Sequence, residues 1–281
     1  RAQPAFPDAL VAEVCAIAGT SGILGNCHAS GTEILQDLGA AHCETGQPIC
    51  YTSSDSVFQI AAHEQHFGLE RLYDLCAKIA PRLHAMRVGR VIARPFAGEI
   101  GAFERTGNRK DYAMTPPQPV LSNWLQDAGH PVIGIGKISD IFSGQGLDHS
   151  LTGSDMVLMQ HLKDQFAQAA DGSFVFANFV EFDSLYGHRR DVAGYARALE
   201  WFDRALASLL AAMKPDDLLI LTADHGNDPT WPGTDHTRER VPVLCAGMGP
   251  KPLGLLGFED VAATVATYLN VTPKGQGKSF L

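Results

Sequence analysis

The sequence predicts an α/β protein with a mainly parallel sheet between helices and a smaller α+β domain beside it. Three observations lead to that class. Apolar runs of strand length alternate with helical patterns in the second half of the chain, a Pro cluster precedes that half, and polar side chains follow the strand ends. Strands that alternate with helices are typical of parallel sheets covered on both faces. Since the cluster Thr115-Pro-Pro-Gln-Pro119 indicates a hinge, we expect two domains, residues 1–114 and 115–281.

The C-terminal domain is predicted to alternate regularly, beginning with a helix near Val120. Its strands are expected over 130–136, 173–180, 218–222 and 241–245, and its later helices over 155–169, 191–213 and 258–269. The apolar runs 218–221 and 241–244 are predicted to be buried strands of the parallel sheet. The apolar stripe of helix 191–213 is Tyr195, Leu199, Phe202, Leu206 and Leu209.

The N-terminal domain is less regular, which is typical of a small α+β cap. Helical patterns cover 8–18 and 69–79, and strand patterns cover 49–60 and 88–94.

Composition excludes several classes of function. A net charge of −9 argues against a nucleic-acid partner, because phosphate contact needs clustered Lys and Arg. No apolar run reaches membrane-spanning length and no signal pattern begins the sequence, so we expect no membrane partner and a cytoplasmic location. The six Cys form no C-x-x-C pair, which favours reduced thiols over disulfides or a structural zinc motif.

The most informative segment follows the strand expected at 218–222. It reads Thr222-Ala-Asp-His-Gly-Asn-Asp-Pro-Thr-Trp-Pro-Gly-Thr-Asp-His-Thr-Arg-Glu239 and contains Asp224, His225 and His236. Ligands bind at the carboxyl ends of strands in open α/β sheets. Carboxylates and imidazoles together suit Mn²⁺, Zn²⁺ or Fe, so we expect a metal site in this loop.

A second Asp/His set follows the strand expected at 173–180. Asp183 and His188 lie in Glu181-Phe-Asp-Ser-Leu-Tyr-Gly-His188. Taken alone, Asp183 is better interpreted as a helix cap and His188 as a surface residue. Two neighbouring strand ends with such sets nevertheless favour a pair of metal ions about 3.5–4 Å apart.

Long motifs carry a resemblance to a known family. The segments Thr222-Ala-Asp-His-Gly226, Phe182-Asp-Ser-Leu-Tyr-Gly-His-Arg-Arg-Asp-Val-Ala-Gly-Tyr195, Leu24-Gly-Asn-Cys-His-Ala-Ser-Gly31, Tyr51-Thr-Ser-Ser-Asp-Ser-Val-Phe-Gln59 and Arg105-Thr-Gly-Asn-Arg109 resemble those of the phosphopentomutases. That family belongs to the alkaline phosphatase superfamily, and the resemblance covers essentially the whole chain. It implies an alkaline phosphatase-like core with a cap, an isomerase activity in nucleoside catabolism, and two Mn²⁺ ions per complete active site.

The resemblance also implies roles for individual residues. One metal would be held by Asp183, His188 and His236, and the other by Asp224 and His225 with further ligands. Arg94, Arg109 and Lys137 would hold the distal phosphate of a pentose phosphate, while Ser53 and Asp55 would contact the sugar hydroxyls. Without the resemblance, solvated surface charges are as good an interpretation of Arg94 and Arg109.

Two features of the family have no counterpart in these 281 residues. They are the Asp of the first core strand and the Thr that becomes phosphorylated. We therefore expect a chain without the N-terminal part of the core, one complete and one incomplete metal site, no nucleophile, and very low turnover by the chain alone.

Three functions remain open at this point. The resemblance implies interconversion of ribose or deoxyribose 1-phosphate and 5-phosphate through a phospho-enzyme and a 1,5-bisphosphate. The alternatives are an inactive fragment that binds metal and sugar phosphate, and another metal-dependent mutase of the superfamily, such as the cofactor-independent phosphoglycerate mutase.

Overall fold

The computed structural model describes residues 4–53 and 57–281. The chain forms two compact units, Arg1–Met114, here the N-unit, and Thr115–Leu281, here the C-unit. Both combine helices and strands, so the predicted α/β class is confirmed. Within the described ranges, no helix is long and apolar enough to cross a membrane.

The N-unit is a mixed sheet with helices on it. In chain order its elements are α1 (Asp8–Ala18), β1 (Leu24–His28), α2 (Glu33–Thr45), β2 (Ile49–Thr52), β3 (Val57–His63), a π-helical turn (Glu64–Gly68), α3 (Leu69–Ala85), β4 (Arg90–Ala97), β5 (Glu104–Arg105) and β6 (Lys110–Ala113). The strand order is β1-β2-β3-β4-β5, and β6 also pairs with β4. The β1–β2 and β3–β4 pairs are parallel and the others antiparallel.

Strand β3 organises the N-unit core because all seven of its residues are buried. Successive side chains of a strand point to opposite faces. Phe58 and Ile60 therefore pack with α1 and α3, whereas Ala61 packs with α2. The strand expected over 49–60 is in fact two antiparallel strands, β2 and β3.

Helix α2 was not expected from the sequence. It contains Gly39, and glycine in a helix interior costs about 1 kcal/mol relative to alanine. A Cβ at Gly39 would collide with the ring of Phe103. The helix therefore depends on close tertiary packing, which local sequence does not reveal.

A buried imidazole ties α2 to β3. His42 Nδ1 donates to the carbonyl of Gln47 at 2.7 Å, and its Nε2 accepts the backbone N–H of His63 at 2.9 Å. Burial lowers the pKa of His42, which agrees with a neutral ring that both donates and accepts.

The C-unit contains five helices and five strands among its described residues. They are α4 (Leu121–Asp127), β7 (Val132–Ile135), α5 (Ile138–Phe142), β8 (His149–Leu151), α6 (Asp155–Gln168), β9 (Phe174–Ala177), α7 (Val192–Ala212), β10 (Leu219–Thr222), β11 (Val243–Ala246) and α8 (Phe258–Tyr268), with a π-helical turn at Phe182–Gly187. Strands β8-β7-β9 form a parallel sheet. Ile133 and Ile135 of β7 pack on Leu158 of α6, while Gly134 faces Ile138 of α5.

Two expectations about the C-unit are wrong. Strands β10 and β11 pair antiparallel and are only partly buried, rather than forming buried members of a parallel sheet. Parallel neighbours need a crossover, usually a helix, and residues 223–242 contain none. Leu199 is 51% exposed, whereas Leu206 and Leu209 of the same predicted stripe are buried.

A tight backbone approach ends strand β7. Gly136 has φ +77°, and a Cβ there would collide with the carbonyl of Asn178, which follows β9. Gly129 has a similar φ of +86° but open space around it. The two glycines thus separate the cost of a left-handed backbone from the cost of a steric clash.

We expect Gly136→Ala to lower the free energy of unfolding by about 2 kcal/mol more than Gly129→Ala. Both alanines would be strained by the positive φ, but only the methyl group at residue 136 would also collide with a neighbouring atom. Urea denaturation of the two variants measures the difference. Equal losses would mean that the β7–β9 junction moves to admit the methyl group.

Candidate metal centre

Asp155 anchors the turn that carries the first Asp/His set. At the first turn of α6, its carboxylate accepts the backbone N–H groups of Val180 and Glu181, both at 3.1 Å. Burial, and then the charge of Glu181, raise the pKa of Asp155 to about 6. These hydrogen bonds therefore fix the backbone immediately before the π-helical turn that carries Asp183.

The second set lies in residues 223–242, which fold back on themselves. Gly226 and Thr237 form an antiparallel bridge, with the Thr237 N–H donating to the Gly226 carbonyl at 3.0 Å. A Cβ on Gly226 would collide with the carboxylate of Glu239. Glycine at this position lets the loop close.

The structure brings four of the five predicted metal ligands together, namely Asp183, His188, His225 and His236. His188 Nε2 lies 3.3 Å from Asp183 Oδ2, and His236 Nε2 lies 3.2 Å from Asp183 Oδ1. The ring of His225 stacks on that of His236 at 3.9 Å, and donor atoms of Asp183, His225 and His236 all lie within 4.8 Å of one another. Asp224 is more exposed, with Oδ2 3.8 Å from His225 Nε2. His225 thus lies near Asp183 as well as near Asp224, the residue with which the resemblance implies that it shares a metal ion.

The hydrogen bonds around the imidazoles show that this cluster fits a cation. His188 Nδ1 is 2.5 Å from the carbonyl of Thr234, so in a neutral ring this nitrogen carries the proton. The lone pair of Nε2 then faces a carboxylate oxygen of Asp183, and two acceptors face each other. A divalent cation between them satisfies both, and a backbone carbonyl on the other ring nitrogen is the usual outer partner of a metal-binding His.

Arg190 holds the two segments of the cluster together. Its guanidinium donates to five oxygen atoms, namely Gly187 O (2.9 Å), Asn227 Oδ1 (2.7 Å), Asp228 O (3.0 Å), Gly233 O (2.6 Å) and Asp235 O (2.6 Å). Asn227 in turn donates to Asp183 Oδ1 at 2.6 Å. Sequence reasoning missed both residues. Both residues lie inside the motifs that carry the resemblance, which could have drawn attention to them. The local sequence does not show, however, that Arg190 binds acceptors 37 to 45 residues away along the chain.

The predicted sugar-binding residues of the N-unit form part of a network. Gln59 donates to Ser53 Oγ at 3.4 Å and accepts from Arg94 Nε at 3.0 Å. Asp55 lies outside the described residues. Ser53 and Arg94 are therefore linked through one amide.

Arg94 lies in an electropositive environment. Burial, then the charge of Arg109, lower its pKa to about 10, and Arg105 adds to the effect. Arg109 makes a bidentate contact with Asp111, both distances being 2.6 Å. The buried hydroxyl of Tyr51 has no hydrogen-bond partner among the described residues. Several cations beside an unsatisfied hydroxyl suit an anionic ligand. Arg105 is an addition to the predicted set.

Lys137 is in the C-unit, directly after β7 and before α5. Its side chain is exposed. Its role in phosphate binding with the N-unit arginines stays a prediction.

Comparisons with known proteins define the class of the chain. A model of the metalloenzyme superfamily matches residues 10–273, which places the chain in a class of metal-dependent proteins. A phosphopentomutase of Allorhizobium ampelinum is 55% identical and one of Sinorhizobium medicae 54% identical, each over 99% of this chain and 70% of its own length. A phosphopentomutase of Chromohalobacter salexigens is 53% identical over 98% and 68%. A solved structure from Pyrococcus horikoshii is more distant, with a TM-score of 0.46 and 15% identity over 72% of this chain and 66% of its own.

The chain therefore belongs to the metalloenzyme superfamily and, within it, to the phosphopentomutase family.

We expect Arg190→Ala to weaken Mn²⁺ binding by about 10- to 100-fold, because outer-shell partners orient the ligands. Calorimetric titration measures the affinity. The matched control is Arg189→Ala, since Arg189 is exposed and adjacent. Similar affinities in both variants would contradict a positioning role for Arg190.

Proposed function

We propose that this protein interconverts pentose 1-phosphates and pentose 5-phosphates at a metal centre in the C-unit. The observation that carries the proposal is the pair of facing acceptors, Asp183 Oδ2 and His188 Nε2, which are 3.3 Å apart. The family to which the chain belongs agrees with it, because its members are named for this reaction.

We propose Mn²⁺ as the metal, with two ions in a complete site. Asp183, His188 and His236 would hold one ion, and Asp224 and His225 would belong to the other. Carboxylate oxygens and imidazoles suit Mn²⁺, although they also suit Zn²⁺ and Fe. When bound, divalent cations neutralise the charge of a transferring phosphoryl group and of the leaving oxygen.

The residues of the chain contribute positioning and charge. Arg190 and Asn227 orient the carboxylate of Asp183, so that this group can bind a cation without further rearrangement. In the N-unit, Arg94 and Arg109 would clamp the distal phosphate, and Ser53 would contact a sugar hydroxyl. Guanidinium groups match phosphate oxygens in a bidentate manner. Asp55 and Lys137 complete the proposed substrate set.

Phosphoryl transfer also needs an acceptor for the phosphate. The Thr implied by the resemblance has no counterpart in the 281 residues, so we assign no nucleophile. As the resemblance implies, the route would run through a phospho-enzyme and a 1,5-bisphosphate. The phospho-enzyme would give its phosphoryl group to the free hydroxyl of the pentose monophosphate and would take back the phosphoryl group from the other end of the sugar, so that atoms and charge balance.

The proposal is tested by incubating the Mn²⁺-loaded chain with ribose 1-phosphate or deoxyribose 1-phosphate and following the 5-phosphate by phosphorus NMR. Because no nucleophile is assigned, we expect metal-dependent binding with only very slow conversion, and we expect that conversion to stop on chelation and in Asp183→Asn. Metal-dependent binding without conversion would favour the non-catalytic alternative. Interconversion of phosphoglycerates instead would favour the other mutase. If the chain neither bound nor converted pentose phosphates, a pentose phosphate function would be refuted.

We expect Arg94→Lys to weaken ribose 5-phosphate binding by roughly tenfold or more, since lysine lacks the planar fork. Binding of unphosphorylated ribose should be unchanged. The control is Arg82→Lys, an exposed arginine paired with Glu13. Calorimetry with both ligands gives the comparison, and equal losses for ribose and its phosphate would argue against phosphate recognition by Arg94.

A further inference from the structure

A second group of metal-ligating side chains lies in the N-unit. Cys43 belongs to α2, His63 ends β3, and His66 lies in the π-helical turn that follows. One potential donor atom from each residue lies within 4.8 Å of the other two. Helix α2 and the continuous segment 63–66 therefore converge on one point, independently of the Asp183 cluster.

His63 is oriented as a metal ligand would be. Its Nε2 donates to the carbonyl of Gly98 at 3.1 Å, which leaves the lone pair on Nδ1. That lone pair accepts hydrogen bonds from the backbone N–H groups of Gln65 and His66, at 3.2 and 3.3 Å, and a cation at Nδ1 would replace them. A backbone carbonyl on one ring nitrogen is the usual outer partner of a ligating imidazole, and here it leaves Nδ1 as the nitrogen that would bind a cation.

The other two donors have few competing interactions. The ring of His66 is exposed and meets His63 edge-on at 4.7 Å, and neither the His66 ring nitrogens nor the Cys43 thiol has a hydrogen bond within the described part of the chain. Packing explains the burial of His63, whose ring lies 5.3 Å from that of Phe96. Packing does not explain why a thiol and a second imidazole are aimed at the same place.

We propose that Cys43, His63 and His66 form a second metal site, which takes Zn²⁺ or another thiophilic divalent cation. Sulfur and imidazole donors select such ions, whereas the oxygen-rich Asp183 cluster suits Mn²⁺. Three protein ligands leave a fourth position of a tetrahedral ion for water. Binding releases the Cys43 thiol proton to solvent and creates one sulfur–metal bond.

Nearby charge agrees with this assignment. Burial, and then the charge of Glu99, raise the pKa of the Cys43 thiol, so without a cation the thiol remains protonated. A bound cation reverses that balance, because coordinating thiols are deprotonated.

Cobalt is a suitable probe because a thiolate–Co²⁺ bond gives a near-ultraviolet charge-transfer band. The five ligands of the Asp183 cluster contain no sulfur and cannot produce it. We expect the full chain to show this band on Co²⁺ addition, to lose it when Zn²⁺ is added in excess, and to keep it when Mn²⁺ is added.

Variants locate the band. Cys43→Ser should abolish it, and His66→Gln, a change at an exposed position, should weaken Co²⁺ binding at least about tenfold. Cys27→Ser, also a partly buried cysteine of the N-unit, should retain it. Absence of the band in the unaltered chain, or its persistence in Cys43→Ser, would overturn the proposal.

Discussion

The contacts of Arg190 are the interaction on which the metal centre depends. One guanidinium donates to carbonyls on both sides of the cluster and to the amide that contacts Asp183. A fixed charge with five donors can satisfy several loop carbonyls that no regular element pairs. Residues 223–242 contain neither helix nor long strand, so their conformation relies on this side chain, the Gly226–Thr237 bridge and any bound cation.

The two units present different donor chemistry. In the C-unit, imidazole lone pairs face carboxylate oxygens, an arrangement that favours hard or borderline cations. In the N-unit, a thiol joins two imidazoles, and a separate arginine group surrounds Arg94. Each site uses backbone carbonyls to orient its histidines, through Thr234 in one case and Gly98 in the other. The same kind of hydrogen bond thus orients a histidine in each of the two sites, which we propose to bind different ions.

The success of sequence reasoning varied with the range of the interactions involved. Helices α1, α6, α7 and α8 were predicted within a few residues. Helix α2 was missed because Gly39 is explained only by Phe103, which is distant in sequence. The β10–β11 pairing was predicted with the wrong direction, since apolar runs show burial but not orientation. Asp183, His188, Asp224, His225 and His236 were predicted from two loops, and the structure shows Asp183, His188, His225 and His236 close to one another, with Asp224 beside its neighbour His225.

The sequence alone determined the α/β class, the family, and the residue types of the metal centre, because these depend on local periodicity and on motifs of contiguous residues. Tertiary structure decided which atoms face each other. The lone pair of His188 points at Asp183 only because Thr234 orients the ring, and Arg190 became important only once its distant carbonyl partners were in place. Directional hydrogen bonds between segments far apart in the chain leave no periodic trace in the sequence, so only the folded chain reveals them.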